Sequence, residues 1–258
     1  MPVPAEWITP HWPVPANVRA VCTTRAGGQS APPYDSLNLG DHVGDSAEAV
    51  AANRTIFAAA LQARPVFLKQ VHGLDCVQLG ADTPDGAEAD GCVTTTPGVA
   101  CTIMVADCLP VLFTATSGRA VAAAHAGWRG LAQGAGRNIL EVVWARFRQV
   151  AGIEDAGQTL AWLGPCIGPD SFEVGPEVKA AFESHDPQAM ALFKPYRDGK
   201  WLADLAGLAR HRLRAMGITR VYGNDGSREW CTVSSPSKFF SHRRDRVSGR
   251  FAAAIWLA

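Results

Sequence analysis

The chain has 258 residues, 47% hydrophobic and 19% charged, with 24 basic residues against 24 acidic ones. That length suits a single domain over residues 1–258 with a sizeable core, and zero net charge removes the long-range pull toward nucleic-acid phosphates or anionic membranes. No apolar run reaches the roughly 18 residues of a membrane span, and the opening MPVPAEWITPHWPVP lacks the basic and apolar regions of a secretion signal, so a soluble cytoplasmic protein is expected.

Pro2, Pro4, Pro10, Pro13 and Pro15 keep the N-terminal stretch out of helices and central strands, and it is expected to wrap the surface. A strand over Val18 to Thr24 leads into the loop Arg25-Ala-Gly-Gly-Gln-Ser. Ser46 is a good N-cap for a first helix through AEAVAANRTIFAAALQ, whose apolar residues fall at helical spacing. Short buried strands follow at Val66 to Gln70, Cys76 to Leu79, Gly91 to Thr94, Val99 to Val105, Val111 to Thr114 and Ala120 to Ala124. A helix is predicted over Gly134 to Gln149, a strand over Leu160 to Leu163, and helices over Glu177 to Ser184 and Leu202 to Met216. A strand over Arg250 to Leu257 closes the chain. Strands gathered in the middle and helices mostly later predict an α+β fold with no doubly wound sheet. Neither G-x-G-x-x-G nor G-x-x-x-x-G-K-[ST] occurs, so no phosphate-cradling glycine loop is written here.

Seven cysteines are an odd and scattered number, with no C-x-x-C pair. Six of them (Cys22, Cys76, Cys92, Cys101, Cys166 and Cys231) read as small core hydrophobes. Cys108 differs, because three segments each deliver a His or Cys to a strand end beside a turn. They are Lys69-Gln-Val-His72-Gly73, Ala106-Asp107-Cys108-Leu-Pro110 and Ala124-His125-Ala-Gly127-Trp128-Arg129-Gly130. Two imidazoles and a thiolate are a plausible three-ligand set for zinc, leaving a fourth position for water or substrate. Asp107 beside Cys108 is a candidate to orient a ligand or accept a proton. Taken singly, a turn histidine, a core thiol and a strand-end histidine explain the same residues.

KQVHG, ADCLPVLF, AHAGWRG, GPCIGP, FFSHRRDRVSGR and TTRAGGQSAPPYDSLNLGDHVGD together closely resemble a bacterial family first described as multicopper polyphenol oxidase or laccase-like. That family is now regarded as zinc-dependent purine nucleoside phosphorylases and adenosine deaminases, related to the human laccase-domain protein. The resemblance implies a layered α/β/β/α fold with mixed sheets, similar to that of deamidating toxins, which use a Cys and a His. It carries the metal ligands onto His72, Cys108 and His125 and points to Arg54 as a functional arginine near the substrate. Zinc is the implied metal, with copper surviving from the older family name.

Asn38 and Arg25 are further candidates to line the pocket. The run Ser241, His242, Arg243 and Arg244 is a candidate source of phosphate or ribose donors, because guanidinium binds phosphate through two parallel bonds. Trp128 and Phe240 are candidates to stack on a base. The expected activity is phosphorolysis of adenosine, inosine, guanosine or methylthioadenosine to free base and ribose 1-phosphate, with adenosine deamination besides. The expected partners are nucleosides and phosphate, and the oligomeric state is left open. The alternative is a cysteine hydrolase with Cys108 as nucleophile and His125 or His72 as base, with cell-wall precursors as candidate substrates. A copper laccase needs many imidazoles, often in His-x-His pairs; this chain has seven histidines and no such pair. A non-catalytic binding protein is the third class.

Overall fold

A computed structural model describes residues 3–132 and 137–258. In chain order the strands are β1 (Val18–Cys22), β2 (Arg64–Phe67), β3 (Cys76–Leu79), β4 (Gly91–Thr94), β5 (Val99–Val105), β6 (Leu109–Ala115), β7 (Val121–Ala126), β8 (Thr159–Leu163), β9 (Glu173–Val174), β10 (Phe193–Pro195), β11 (Trp201–Ala203), β12 (Arg220–Gly223) and β13 (Phe251–Leu257). The helices are α1 (Ala47–Leu61), α2 (Trp128–Ala132), α3 (Ile139–Ala151), α4 (Pro176–Glu183), α5 (Leu205–Ala215) and α6 (His242–Asp245).

Two mixed sheets carry the fold. One is four-stranded, in the order β1-β13-β5-β2; the other is six-stranded, in the order β12-β8-β6-β7-β4-β3. Every residue of β5, β6, β7 and β13 is buried, as expected of strands covered on both faces. Phe57 and Leu61 of α1 pack with Phe67, Met104 and Trp256 on the outside of the smaller sheet. Its inner face, with Cys101, Ile103 and Ile255, meets Cys92, Leu112 and Trp162 of the larger sheet. The far face of that sheet, with Val111 and Phe113, is covered by Val143 and Phe147 of α3 and by Leu208 and Ala209 of α5. The resulting α/β/β/α order is that implied by the sequence resemblance.

Local signals set most boundaries. Ser46 Oγ accepts from Ala49 N–H and starts α1, which stops where Gln62 turns left-handed at φ 53°. Helix α3 begins later than predicted, because Asn138 and Glu141 form a reciprocal cap; the predicted start at Gly134 lies outside the described residues. Helix α5 begins at Leu205 rather than Leu202. Asp204 caps it, and Trp201–Ala203 pair instead in a small sheet ordered β10-β11-β9. Strand β6 starts two residues earlier than predicted, admitting Pro110 near its beginning, where a missing N–H is tolerated. Strand β7 runs on to Ala126, so His125 lies inside a strand opposite Pro110. No described helix is long and apolar enough to cross a membrane.

Candidate metal centre

His72 follows β2 in a loop pinned from two sides. The Gln70 side chain makes two bonds of 2.8 Å with the backbone of Met104, tying the loop to β5. The Asp90 carboxylate, fully buried just before β4, accepts the N–H groups of Val71, His72 and Gly73 at 3.1, 2.9 and 2.7 Å. This wrapping holds His72 at φ 61°, a left-handed conformation that a non-glycine residue keeps only when its surroundings impose it. The same carboxylate accepts from His125 Nδ1 at 2.7 Å, which leaves Nε2 of that ring free to face the cleft. One buried acid thus orients the His125 imidazole, the usual arrangement behind a metal-binding histidine, and pins the backbone that carries His72.

Cys108 comes from the link between β5 and β6, which joins the two sheets. Asp107 before it is also left-handed, at φ 88°. Its carboxylate accepts from Thr232 Oγ1 and from Arg243 N–H, both at 2.6 Å, and its carbonyl accepts from Ile167 N–H at 2.9 Å. Asp107 therefore anchors the start of α6, and the acid bonded to a histidine is Asp90. Cys108 Sγ lies 3.8 Å from His72 Nε2, and the donor atoms of His72, Cys108 and His125 all fall within 4.8 Å of one another. Among the described residues, no other group of three or more His, Cys, Asp or Glu donors is gathered this closely.

Charge favours the ligating forms. Burial pushes the Cys108 thiol up, but the charges and hydrogen bonds of His125 and His72 outweigh it and bring the thiol down to about 6. Burial pushes His125 down, whereas the Cys108 thiolate and Asp90 raise it to about 9. Without an ion, the arrangement is a thiolate–imidazolium pair; a divalent cation would replace that proton. Two nitrogens and a thiolate within reach of one point fit a zinc site with an open position. Gly127 completes the cradle, since a Cβ there would meet Cys108 Sγ at 2.9 Å and His72 Cδ2 at 3.3 Å. Gly127→Ala is expected to keep the secondary structure yet weaken metal affinity by about ten-fold. Circular dichroism and a competitive chelator titration test this, and wild-type affinity would show that the cradle yields.

The cluster lies on a cleft of about 520 Å³. Of the residues singled out in the sequence, His72, Asp107, Cys108, His125, Trp128, His242 and Arg243 line it. The others are engaged elsewhere. Arg25 pairs with Asp35 at 3.0 Å and lies over the Phe240 ring, which is itself fully buried. Arg244 pairs with Asp245 and donates to the carbonyls of Thr232 and Phe239. The Ser241 hydroxyl caps α6. Arg54 donates to the Leu39 carbonyl at 3.0 Å and pairs with Asp41 at 3.1 Å. Asn38 is buried, with its side chain bonded to Gly40, Asp45 and the N–H of Arg250. These last two brace the strip of residues 38–42, whose His42 lines the cleft. Sequence reasoning passed over Asp90, His42, Arg129, Arg246 and Arg250. Asp90 carried a usable signal: an acid directly before an all-apolar buried strand needs several donors to be tolerated there.

A purine nucleoside phosphorylase of Pseudomonas aeruginosa is 48% identical over 256 residues, covering 97% of this chain and 98% of that protein. The purine nucleoside phosphorylase YfiH of Escherichia coli is 47% identical, covering 98% and 99%. Among solved structures, a Neisseria meningitidis protein superposes with a TM-score of 0.88 at 46% identity, covering 98% of this chain and 99% of its own. YlmD from Geobacillus stearothermophilus gives a TM-score of 0.83 at 33% identity, covering 94% and 92%. Residues 19–258 match the family described as multi-copper polyphenol oxidoreductase laccase, and the chain belongs to that family.

Proposed function

We propose that the chain is a purine nucleoside phosphorylase working at the His72–Cys108–His125 centre, with zinc as its metal and adenosine deamination as a second reaction of the same cleft. The observation that carries this reading is the cleft's charge: Arg129, Arg243, Arg246 and Arg250 line it against one carboxylate, Asp107. A cationic cleft suits an oxyanion co-substrate, and near-full-length relatives bear the name of that reaction.

In phosphorolysis a phosphate oxygen bonds to the ribose anomeric carbon as the bond to the base breaks, and the departing base takes up a proton. The arginines hold the phosphate against its own desolvation. Trp128 and Phe172, both on the lining, supply apolar faces for a purine. Asp107, tied to Thr232 and Arg243, keeps α6 and its arginine at the cleft edge. His72, His125 through Nε2, and Cys108 would hold the metal, which supplies Lewis acidity toward a substrate heteroatom when bound. Copper oxidase chemistry of the laccase type calls for a mononuclear and a trinuclear site; one three-donor cluster among the described residues suits neither that count nor its imidazole demand.

A second reading is favoured by one observation. Cys108, His125 and Asp90 also have the make-up of a nucleophile, a base and the group that orients it, with the thiol already depressed. The deciding assay incubates the purified protein with adenosine, inosine, guanosine and methylthioadenosine, with and without phosphate, alongside metal analysis. Expected are phosphate-dependent release of base, inosine formed from adenosine, and zinc near one per chain. No phosphate-dependent cleavage of any of the four would end the phosphorylase reading.

A further inference from the structure

We infer that Arg250 is the phosphate-binding residue of the cleft, an assignment that rests on the phosphorylase reading for the identity of the anion. Arg250 directly precedes β13, and its backbone is clamped to the opposite strip. Its N–H donates to Asn38 Oδ1 at 2.8 Å, and its carbonyl accepts from Leu39 N–H at 3.0 Å. The aliphatic stem presses on Gly40, where a Cβ would meet Arg250 Cγ at 2.8 Å. Nη1 donates to the carbonyls of Ser248 and Gly249 at 2.9 and 3.1 Å. The guanidinium is therefore fixed in place at its base, on its stem and at one corner.

What remains faces the ligand. Among the described residues, no carboxylate pairs with Arg250, and its Nε and Nη2 find no acceptor and are not sealed from the cleft. Of the other arginines on the cleft, Arg129 lies over the Trp128 ring and, like Arg246, is exposed, with no carboxylate or carbonyl holding its guanidinium among the described residues. Arg243 spends an Nη on the Glu173 carbonyl. The Nε–Nη2 edge presents two parallel N–H groups, the fork that fits two oxygens of a phosphate. A half-buried guanidinium with no carboxylate bonded to it is costly, and an oxyanion bound there offsets that cost. Burial pulls Arg250 below its ordinary value even though the charges of Cys108 and Asp107 raise it.

The test compares wild type, Arg250→Gln and Arg250→Lys, each metal-loaded, by steady-state kinetics with inosine and phosphate varied separately. Isothermal calorimetry with inorganic phosphate alone accompanies it. Arg250→Gln is expected to raise the phosphate KM and the phosphate Kd by at least about ten-fold while the inosine KM stays within about two-fold. Arg250→Lys is expected to recover only part of this, because a point charge lacks the fork. A phosphate KM and Kd within about two-fold of wild type in Arg250→Gln would overturn the assignment. If wild type cleaves no nucleoside, the phosphorylase reading fails separately and calorimetry decides the subsite: phosphate binding lost in Arg250→Gln sustains it, and binding retained there or absent in wild type removes it. Should circular dichroism show Arg250→Gln unfolded, Arg250→Lys carries the decision, with a rise of at least about three-fold in phosphate Kd expected and no rise overturning the assignment.

Discussion

Asp90→Ala is expected to lower the unfolding free energy by about 3–5 kcal/mol, the range for removing one partner of a buried charged pair. The carboxylate is fully buried and accepts from His125 Nδ1 and from three consecutive backbone N–H groups, so its loss leaves four donors without an acceptor. Denaturant titration measures the effect, and a loss under about 1 kcal/mol would show that the loop closes over the gap. The sign with pH is also fixed. Burial pushes the Asp90 carboxyl up, but the hydrogen bond and charge of His125 and the N–H groups of Gly73 and Val71 hold it below the ordinary value of 3.8. Its contribution is therefore present above that value and is lost as pH falls through the lower, folded-state one, so wild type and Asp90→Ala converge only in strong acid. Asp90→Asn separates structure from chemistry. An amide turned to accept from the loop offers its NH₂ toward His125, favouring the tautomer with its proton on Nε2. Zinc affinity is then expected to fall by about 10–100-fold with a smaller loss of stability.

Chelation and alkylation distinguish a metal centre from a nucleophilic cysteine. In metal-free protein, iodoacetamide is expected to modify Cys108 with a pH midpoint about 6, because His125 and His72 outweigh burial there. Burial pushes the thiols of Cys22, Cys76, Cys101 and Cys166 up, so they should lag. Cys231 is the competitor to separate by peptide mapping. Hydrogen bonds from Ser234, Ser171 and Gly168 overcome its burial, though it is only 3% exposed. Zinc is expected to protect Cys108, and chelation is expected to abolish nucleoside cleavage until zinc is restored. Cys108→Ser should weaken zinc binding, and His72→Ala should stop turnover as completely. Full activity in protein shown free of metal, with a covalent adduct accumulating on Cys108, would transfer the chemistry to the thiolate.

The long apolar segments were legible because their burial is written in local pattern. Ser46 marked the start of α1 to the residue, and the run Val99 to Val105 became β5 without adjustment. The small sheet was not legible: β9 and β10 are two and three residues long, and a strand that short carries no period. Asp204 was available as a cap, but the apolar Trp201 and Leu202 before it imitate a first helical turn. At the site, His72, Cys108 and His125 were legible as reactive groups at turns, and the structure gathers them. The supporting residues were not, because support here is long-range. Asp90 reaches His125 across 35 positions and Asp107 reaches Arg243 across 136. No window along the chain contains both ends of either bond. Arg54, to which the family resemblance pointed, and Asn38 bond to the Leu39 carbonyl and to the Arg250 N–H, contacts that no local pattern announces.

Strand β7, which delivers His125, is otherwise built from Val121 and alanines. Alanine surrenders no rotamer freedom when it is buried, whereas Leu or Met in the same places would lose up to about 1–2 kcal/mol each. Its single methyl also has no alternative pose, so the strand cannot shift by repacking its own side chains. The position of the imidazole is therefore set by the backbone ladder on either side, through β4 and β6. What such a strand forgoes in apolar area it gains in lack of play. In the bar that carries His125, the histidine is almost the only side chain with a torsion to choose, and Asp90 has chosen it.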